Sequence, residues 1–86
     1  MVRDWTKDYF HEKYECYCDM VYRICMLYLK NESDARDGLQ DIFLKMWEKQ
    51  PVFVNASHEK AWLIRVSINA CRDVLKSFFR KKVRSI

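Results

Sequence analysis

The chain has 86 residues, of which half are hydrophobic and 15% are aromatic, and it contains one glycine and one proline. This composition favours one small helical domain, and it excludes a disordered chain and a sheet protein with many turns. No apolar run reaches the length that spans a membrane, and the first residues lack the hydrophobic segment of a signal peptide. We therefore expect a cytoplasmic protein with no membrane insertion.

Charge is unevenly distributed along the chain. Residues 1–56 contain eight Lys or Arg and ten Asp or Glu, whereas residues 57–86 contain eight Lys or Arg and two Asp or Glu. The net charge is therefore −2 in the first part and +6 in the second. We expect a polyanionic partner for the C-terminal third only, and a different kind of partner for the rest.

The first predicted helix covers residues 7–30, with Thr6 as its N-cap. Its apolar side chains recur every three or four residues, which is the spacing of a buried helix stripe. They are Phe10, Tyr14, Tyr17, Val21, Ile24, Cys25 and Tyr28. The polar segment that follows ends this helix and supplies an N-cap for the next one, either Asn31 or Ser33.

The second predicted helix covers residues 34–49. Its buried stripe consists of Ala35, Leu39, Ile42 and Met46. Pro51 ends it, because proline lacks the backbone N–H and disfavours helical geometry in the residue before it. The segment Gln50–Ser57 is therefore predicted as an eight-residue loop.

The third predicted helix covers residues 58–82, with Ser57 as its N-cap and two opposite stripes. The stripe predicted to be buried consists of Ile64, Ile68, Cys71, Leu75 and Phe78. The outward stripe consists of Trp62, Arg65, Asn69, Arg72, Lys76 and Arg80. An outward indole among cations indicates contact with phosphates and bases, while a solvated amphipathic helix has the same spacing. Three helices with short connections predict an all-α three-helix bundle, forming a single domain over residues 1–86.

The four cysteines and two histidines give no metal-binding pattern. Cys16 and Cys18 would point about 200° apart on a helix, and Cys18 and Cys25 would lie roughly 10 Å apart. His11 and His58 have no second ligand at helical spacing. We expect reduced structural cysteines, with no metal and no cofactor. The sequence also lacks a nucleophile paired with a base, a phosphate loop and a catalytic pair of carboxylates, so we expect a binding domain and not an enzyme.

The second predicted helix has a further surface that its core stripe does not explain. Five residues fall within about 100° of each other on its outer side. They are Asp37, Gln40, Asp41, Leu44 and Glu48. This surface is either a solvated acidic face or a docking patch for a basic, partly apolar helical partner.

Two segments of the sequence indicate a function more specifically than the outer side of the second helix or the outward stripe of the third. Residues 34–47 begin Asp-Ala-Arg-Asp, continue with Gln40, an acidic residue and Phe43, and end in an aromatic residue. Residues 61–73 read Ala-Trp-Leu-Ile-Arg and then place Asn69 and Asp73 at fixed distances. In this order and separation, the segments resemble domain two of the extracytoplasmic-function group of bacterial sigma factors, over roughly residues 8–82.

The resemblance implies a transcription initiation factor domain with two partners. The second helix would bind the coiled-coil clamp helices of the RNA polymerase beta-prime subunit. The residues that match are Asp37, Gln40, Asp41, Leu44 and Glu48. The resemblance also admits an anti-sigma factor as a further protein partner.

The resemblance further implies that the loop and the third helix recognise and melt the minus-ten promoter element. The loop would hold a base flipped out of the non-template strand. By position, Asn55, Ser57 and His58 border that pocket. The residues expected to face the DNA are Lys60, Trp62, Arg65, Asn69, Arg72, Lys76 and Arg80.

The chain departs from the family pattern at Gly38 and Ile68, which stand where a branched apolar residue and a basic residue are usual. Glycine removes core contact and about 1 kcal/mol of helix propensity relative to alanine. Family members append a helix-turn-helix domain that reads the minus-thirty-five element, and we expect that domain to be absent from this chain. Two other interpretations stay open: a helical interaction module or regulator that mimics a sigma domain without reading DNA, and a sequence-indifferent nucleic-acid binder.

Overall fold

The computed structural model describes the backbone of residues 5–84 and the side chains of residues 5–79. Three helices make up this part of the chain: α1 (Lys7–Leu29), α2 (Glu32–Lys49) and α3 (Ala56–Arg84). Each helix begins and ends within two residues of its predicted bounds, and the predicted all-α three-helix bundle is confirmed. Among these residues, no helix is both long enough and apolar enough to cross a membrane.

Side-chain and backbone caps set both ends of α1 and the start of α2. Thr6 begins α1, because its hydroxyl accepts a hydrogen bond from the backbone N–H of Tyr9 at 3.1 Å. Lys30 ends α1 in the left-handed conformation (φ 55°). The side-chain oxygen of Asn31 accepts from the backbone N–H of Asp34 at 3.0 Å, so Asn31 is the N-cap of α2.

The loop between α2 and α3 is shorter than predicted, because α3 begins at Ala56. Gln50 ends α2 with φ 44°, and Pro51 follows it. The predicted N-cap, Ser57, is wrong. The cap is the side chain of Asn55, whose Oδ1 accepts from the backbone N–H of His58 at 2.9 Å.

The core lies along the line where the three helices meet. Its buried apolar residues are Val21, Cys25 and Leu29 on α1, Ala35, Ile42, Phe43 and Met46 on α2, and Leu63, Ala70 and Cys71 on α3. The aromatic side chains of the first half of α1, including Phe10, Tyr14 and Tyr17, pack against this core while partly exposed. Tyr28, predicted to be buried, is exposed because α1 turns Leu29 toward the core in its place.

The buried face of α3 differs from the predicted one by about 100°, or one residue position. Leu63 and Ser67 are fully buried, whereas Ile64 and Ile68 are only half-buried. The hydroxyl of Ser67 donates to the carbonyl of Leu63 at 2.6 Å, so this buried polar group is satisfied. Large apolar side chains determined the predicted stripe, whereas three small residues, Ser67, Ala70 and Cys71, face the core together with Leu63. Of the predicted stripe, Cys71 is buried as predicted.

The last turns of α3 extend past the packed part of the bundle. At 1.5 Å per residue this helix is about 43 Å long, against about 27 Å for α2. All side chains from Leu75 to Phe79 are exposed. Leu75 and Phe78 were predicted to be buried, and they are 39% and 44% exposed because neither α1 nor α2 covers them.

Two of the four cysteines are packing residues of the core. All four are free thiols, with Cys25 and Cys71 buried, Cys18 half-buried and Cys16 exposed. Burial, and then the neighbouring Cys71 thiol, raise the pKa of Cys25 to about 12. Burial also raises the pKa of Cys71. A thiol that stays protonated is a poor nucleophile and a poor metal ligand, so these two side chains serve the core.

Candidate nucleic-acid and protein interfaces

The outward face of α3 presents a row of cationic and amide side chains. Arg65, Asn69, Arg72 and Lys76 are all exposed, at the three- and four-residue spacing that keeps them on one side of the helix. Lys60 is also exposed but lies roughly 120° to 180° around the helix axis from these four. We call the four residues the basic face. The side chain of Arg80, predicted to extend this face, lies outside the described side chains.

Trp62 stands between the basic face and the loop. It is half-buried, and its ring lies 5.7 Å from that of Phe53 at an interplanar angle of 65°. Phe53 in turn meets the imidazole of His58 edge-on at 5.4 Å. One side of Trp62 therefore covers the loop, and the indole anchors that loop against α3.

The polar residues predicted to border a base pocket are partly engaged in local bonds. Oδ1 of Asn55 accepts from the backbone of His58, and Nδ1 of His58 accepts from the backbone N–H of Val54 at 3.1 Å. These two bonds fix the path of the loop into α3. Asn55 retains its amide N–H groups, and Ser57 is exposed with its hydroxyl at the surface.

A cavity of about 310 Å³ opens where the loop and the first turn of α3 meet the start of α1. Its lining residues are Trp5, Tyr9 and Lys13 from the α1 end, Pro51, Val52, Phe53, Val54 and Asn55 from the loop, and Ala56 and Glu59 from α3. We call this cavity the loop pocket. Of the three residues predicted to border a base pocket, Asn55 lines it, whereas Ser57 and His58 lie outside its lining.

Three aromatic side chains, Trp5, Tyr9 and Phe53, are among the residues that line the loop pocket. The indole N–H of Trp5 donates to the carbonyl of Pro51 at 3.3 Å, which ties the start of α1 to the loop. Tyr9 meets Trp5 edge-on, with ring centroids 4.7 Å apart. Trp5, Tyr9 and Lys13 were not predicted as site residues. Tyr9 and Lys13 are four residues apart and so lie on one side of α1, which was the available signal, whereas Trp5 precedes that helix.

A charged pair with little exposure lines the loop pocket. Nζ of Lys13 lies 3.0 Å from Oε1 and 2.9 Å from Oε2 of Glu59. The hydroxyl of Tyr17 donates to Oε1 of the same carboxylate at 2.7 Å. Burial, followed by the hydrogen bond to Glu59 and its negative charge, raises the pKa of Tyr17. The phenol therefore stays protonated and continues to donate.

The outer side of α2 bears the predicted acidic surface. Its five residues, Asp37, Gln40, Asp41, Leu44 and Glu48, are all exposed, and we call them the acidic face. Leu44 is 55% exposed and borders two grooves. One groove, of about 270 Å³, has Gly38, Ala70 and Cys71 among its lining residues, and also Asp41, Glu48 and Asp73. The other is lined by Lys7, Phe10, Leu44 and Trp47.

The candidate sites in the described part of the chain are charged surfaces and an open cavity. Within the described residues, no three His, Cys, Asp or Glu side chains come close enough together to hold a metal ion. The fold and its two surfaces define a three-helix binding domain, with an acidic face on one helix and a basic face on another.

Comparison with known families identifies the domain. The family model described as Sigma-70 region 2 matches residues 14–84, and the chain belongs to that family. It is a sigma factor region 2 domain that takes part in transcription initiation, with a role in RNA polymerase binding and promoter recognition. No curated protein and no solved structure matches the chain. The extracytoplasmic-function subtype stays a prediction.

Proposed function

We propose that the domain binds the clamp helices of the RNA polymerase beta-prime subunit through the acidic face, and holds the opened minus-ten strand with the basic face and the loop pocket. The observation that carries this proposal is the junction between the pocket and the basic face. Phe53 lines the loop pocket and also contacts Trp62, which adjoins the basic face. A strand lying along α3 would therefore pass the mouth of the pocket.

The basic face and the loop pocket suit different parts of a DNA strand. Exposed cations attract the phosphate backbone without reading sequence, and they orient a strand on the protein. A cavity with aromatic walls and polar groups suits an unstacked base, which can stack on rings and bond through its Watson–Crick edge. Capture of such a base favours the open form of the promoter, because the bound base can no longer pair.

The acidic face fits a partner that contains two helices. Leu44 lines both grooves, so each groove can receive apolar side chains from one helix of a coiled coil. Asp41 and Glu48 line the groove beside Gly38 together with Asp73, and these carboxylates would orient a partner rich in Lys or Arg. An interaction module without DNA reading remains the alternative function, because the acidic face does not depend on the basic one.

The DNA part of this proposal is tested with a double substitution on the basic face, Arg65→Ala with Arg72→Ala. Anisotropy of labelled single-stranded oligonucleotides is measured against salt concentration. Each lost phosphate contact removes about 0.7 from the slope of log K against log salt for single strands, so we expect a shallower slope and weaker binding. The control is Arg23→Ala, an exposed arginine on α1 that pairs with Asp19.

Equal slopes for the parent chain and the double variant would contradict the role of the basic face. If no single strand binds at low salt, the interaction module without DNA reading becomes the better interpretation. Equal affinity for every strand sequence would instead support a sequence-indifferent binder.

A further inference from the structure

The end of α3 exposes an apolar stripe that the bundle leaves uncovered. Phe78 follows Val74 by four residues and Cys71 by seven, so these three residues lie on one side of the helix. Cys71 is buried and Val74 is half-buried, whereas Phe78 is 44% exposed because α1 and α2 do not cover it. The side of α3 that faces the core therefore continues as a free surface beyond the bundle.

A groove between α2 and α3 lies directly beside this stripe. It is the groove of about 270 Å³ beside Gly38, and Cys71 and Val74 belong to its lining. Gly38 and Ala70 leave room in this groove because they are small. A cavity of about 150 Å³ holds a benzene ring, so the groove can accept the ring of one phenylalanine. The domain thus carries a large apolar side chain and, next to it, a recess that fits such a side chain.

The charges of the groove and of the end of α3 are opposite. Three carboxylates line the groove, against one lysine, Lys45. The carboxylates are those of Asp41, Glu48 and Asp73. Residues 75–86 contain five Lys or Arg and no Asp or Glu. Two such basic ends repel each other when they lie side by side, but each is attracted to the acidic groove of another copy.

We propose that two copies of this chain associate through their α3 helices, with Phe78 of each copy inserted into the groove of the other. A continuous helix holds Phe78 outside the groove of its own chain, so the inserted ring comes from a second copy. The two helices lie antiparallel, with a two-fold axis between positions 74 and 75. Phe78 of one copy then lies opposite Cys71 of the other. This arrangement is closed, because the two contacts are identical.

The interface described in this way is small. The part of α3 from Leu75 to Arg84 is about 15 Å long at about 1.5 Å per residue. Interfaces that bury less than about 1,200 Å² are typical of weak complexes, so we expect a reversible dimer with a micromolar Kd. Self-association does not depend on the proposed function, but Asp41 and Leu44 line the same groove. The dimer therefore covers part of the acidic face and excludes another partner from it.

Sedimentation velocity of the whole 86-residue chain tests this inference. The chain is measured from about 5 µM to about 500 µM at low salt, a range that brackets a micromolar Kd. A reductant prevents disulfides between the exposed Cys16 thiols of two copies. We expect the weight-average sedimentation coefficient to rise with protein concentration. The rise should be smaller at about 0.5 M salt, because salt screens the attraction between the basic end and the acidic groove.

Three variants locate the contact. Phe78→Ser removes the inserted ring, and Leu44→Arg places a cation in the groove that receives the basic end of α3. Both side chains are exposed, so the fold persists, and circular dichroism checks this. We expect each variant to raise the Kd of the dimer at least about tenfold, as the loss of a central interface contact does. The control is Leu27→Ser, which removes an exposed apolar side chain from α1 and should change the Kd less than about twofold.

The outcomes separate a second copy from other occupants of the groove. A parent chain that stays monomeric at every concentration overturns the inference, and so does association that survives Phe78→Ser or Leu44→Arg. Equal weakening by Leu27→Ser also contradicts it, because the contact would then not be specific to the end of α3. Titration of the Phe78→Ser variant with a clamp-helix fragment tests the proposed function separately, because this variant keeps the whole acidic face.

Discussion

Gly38 lies in the middle of α2, where this helix packs against α1. A methyl group at this position would lie 3.2 Å from Sγ of Cys25, which is tighter than ordinary contact. The position is buried and its backbone is helical, so the glycine provides close approach and not an unusual backbone angle. The sequence predicted a lost core contact here, and the structure shows that the sulfur of Cys25 occupies that space.

This packing predicts a strong dependence of Gly38→Ala on its neighbour. Alanine gains about 1 kcal/mol of helix propensity, but in the parent chain its methyl group must displace a fully buried sulfur. We expect Gly38→Ala to give no increase in the free energy of unfolding by urea. In a Cys25→Ala background, which removes the sulfur, the same substitution should raise that free energy by about 1 kcal/mol. Equal effects in the two backgrounds would show that the contact is irrelevant.

At the scale of single elements, α3 shows what a sequence can and cannot predict. Its existence and its basic face follow from spacing, because Arg65 and Arg72 repeat at helical intervals and charged side chains stay in water. Its buried face depends on which side chains fit between two other helices, and Ser67 and Ala70 fit there because they are small. Hydrophobicity alone favoured Ile64 and Ile68, so the predicted stripe was rotated.

The residues that line the loop pocket also could not all be predicted from the sequence. Asn55 and Glu59 belong to one local segment, and the family resemblance predicts that Asn55 borders a base pocket. Lys13 and Trp5 reach that pocket from the other end of the chain, and each bonds a residue 46 positions away. No local pattern specifies which side chains of α1 meet the loop, because that depends on how the helices pack.

The N-cap of α3 is expected to contribute to the stability of the fold. Replacing an Asn N-cap with alanine typically costs about 1 kcal/mol, because a backbone N–H of the first turn loses its acceptor. We therefore expect Asn55→Ala to lower the free energy of unfolding by about 1 kcal/mol, measured by urea denaturation. Ser57→Ala should change it by less than about 0.5 kcal/mol, because Ser57 is exposed and is not the cap. Equal losses for both variants would argue against Asn55 as the cap.

At the scale of the whole molecule, the bundle holds the acidic face and the basic face in a fixed relation. The acidic face belongs to α2 and the basic face to α3, and both helices pack on the same core. The chain has a net charge of +4, yet its acidic residues are concentrated outside the C-terminal third. In the proposed function, the acidic face contacts a basic protein surface and the basic face contacts a DNA strand, so the two contacts use different residues.

Because the two faces use different residues, we expect the two proposed contacts to be lost independently. Asp41→Arg reverses an exposed charge on the acidic face, and like charges across an interface oppose association. We expect binding to a beta-prime clamp-helix fragment, measured by titration calorimetry, to weaken at least tenfold. Single-strand affinity should not fall, because Asp41 lines neither the loop pocket nor the basic face. Glu12→Arg, the same charge reversal at an exposed site on α1, should leave clamp binding unchanged. Clamp binding that survives Asp41→Arg, or that weakens equally in both variants, would remove the acidic face as the specific docking surface.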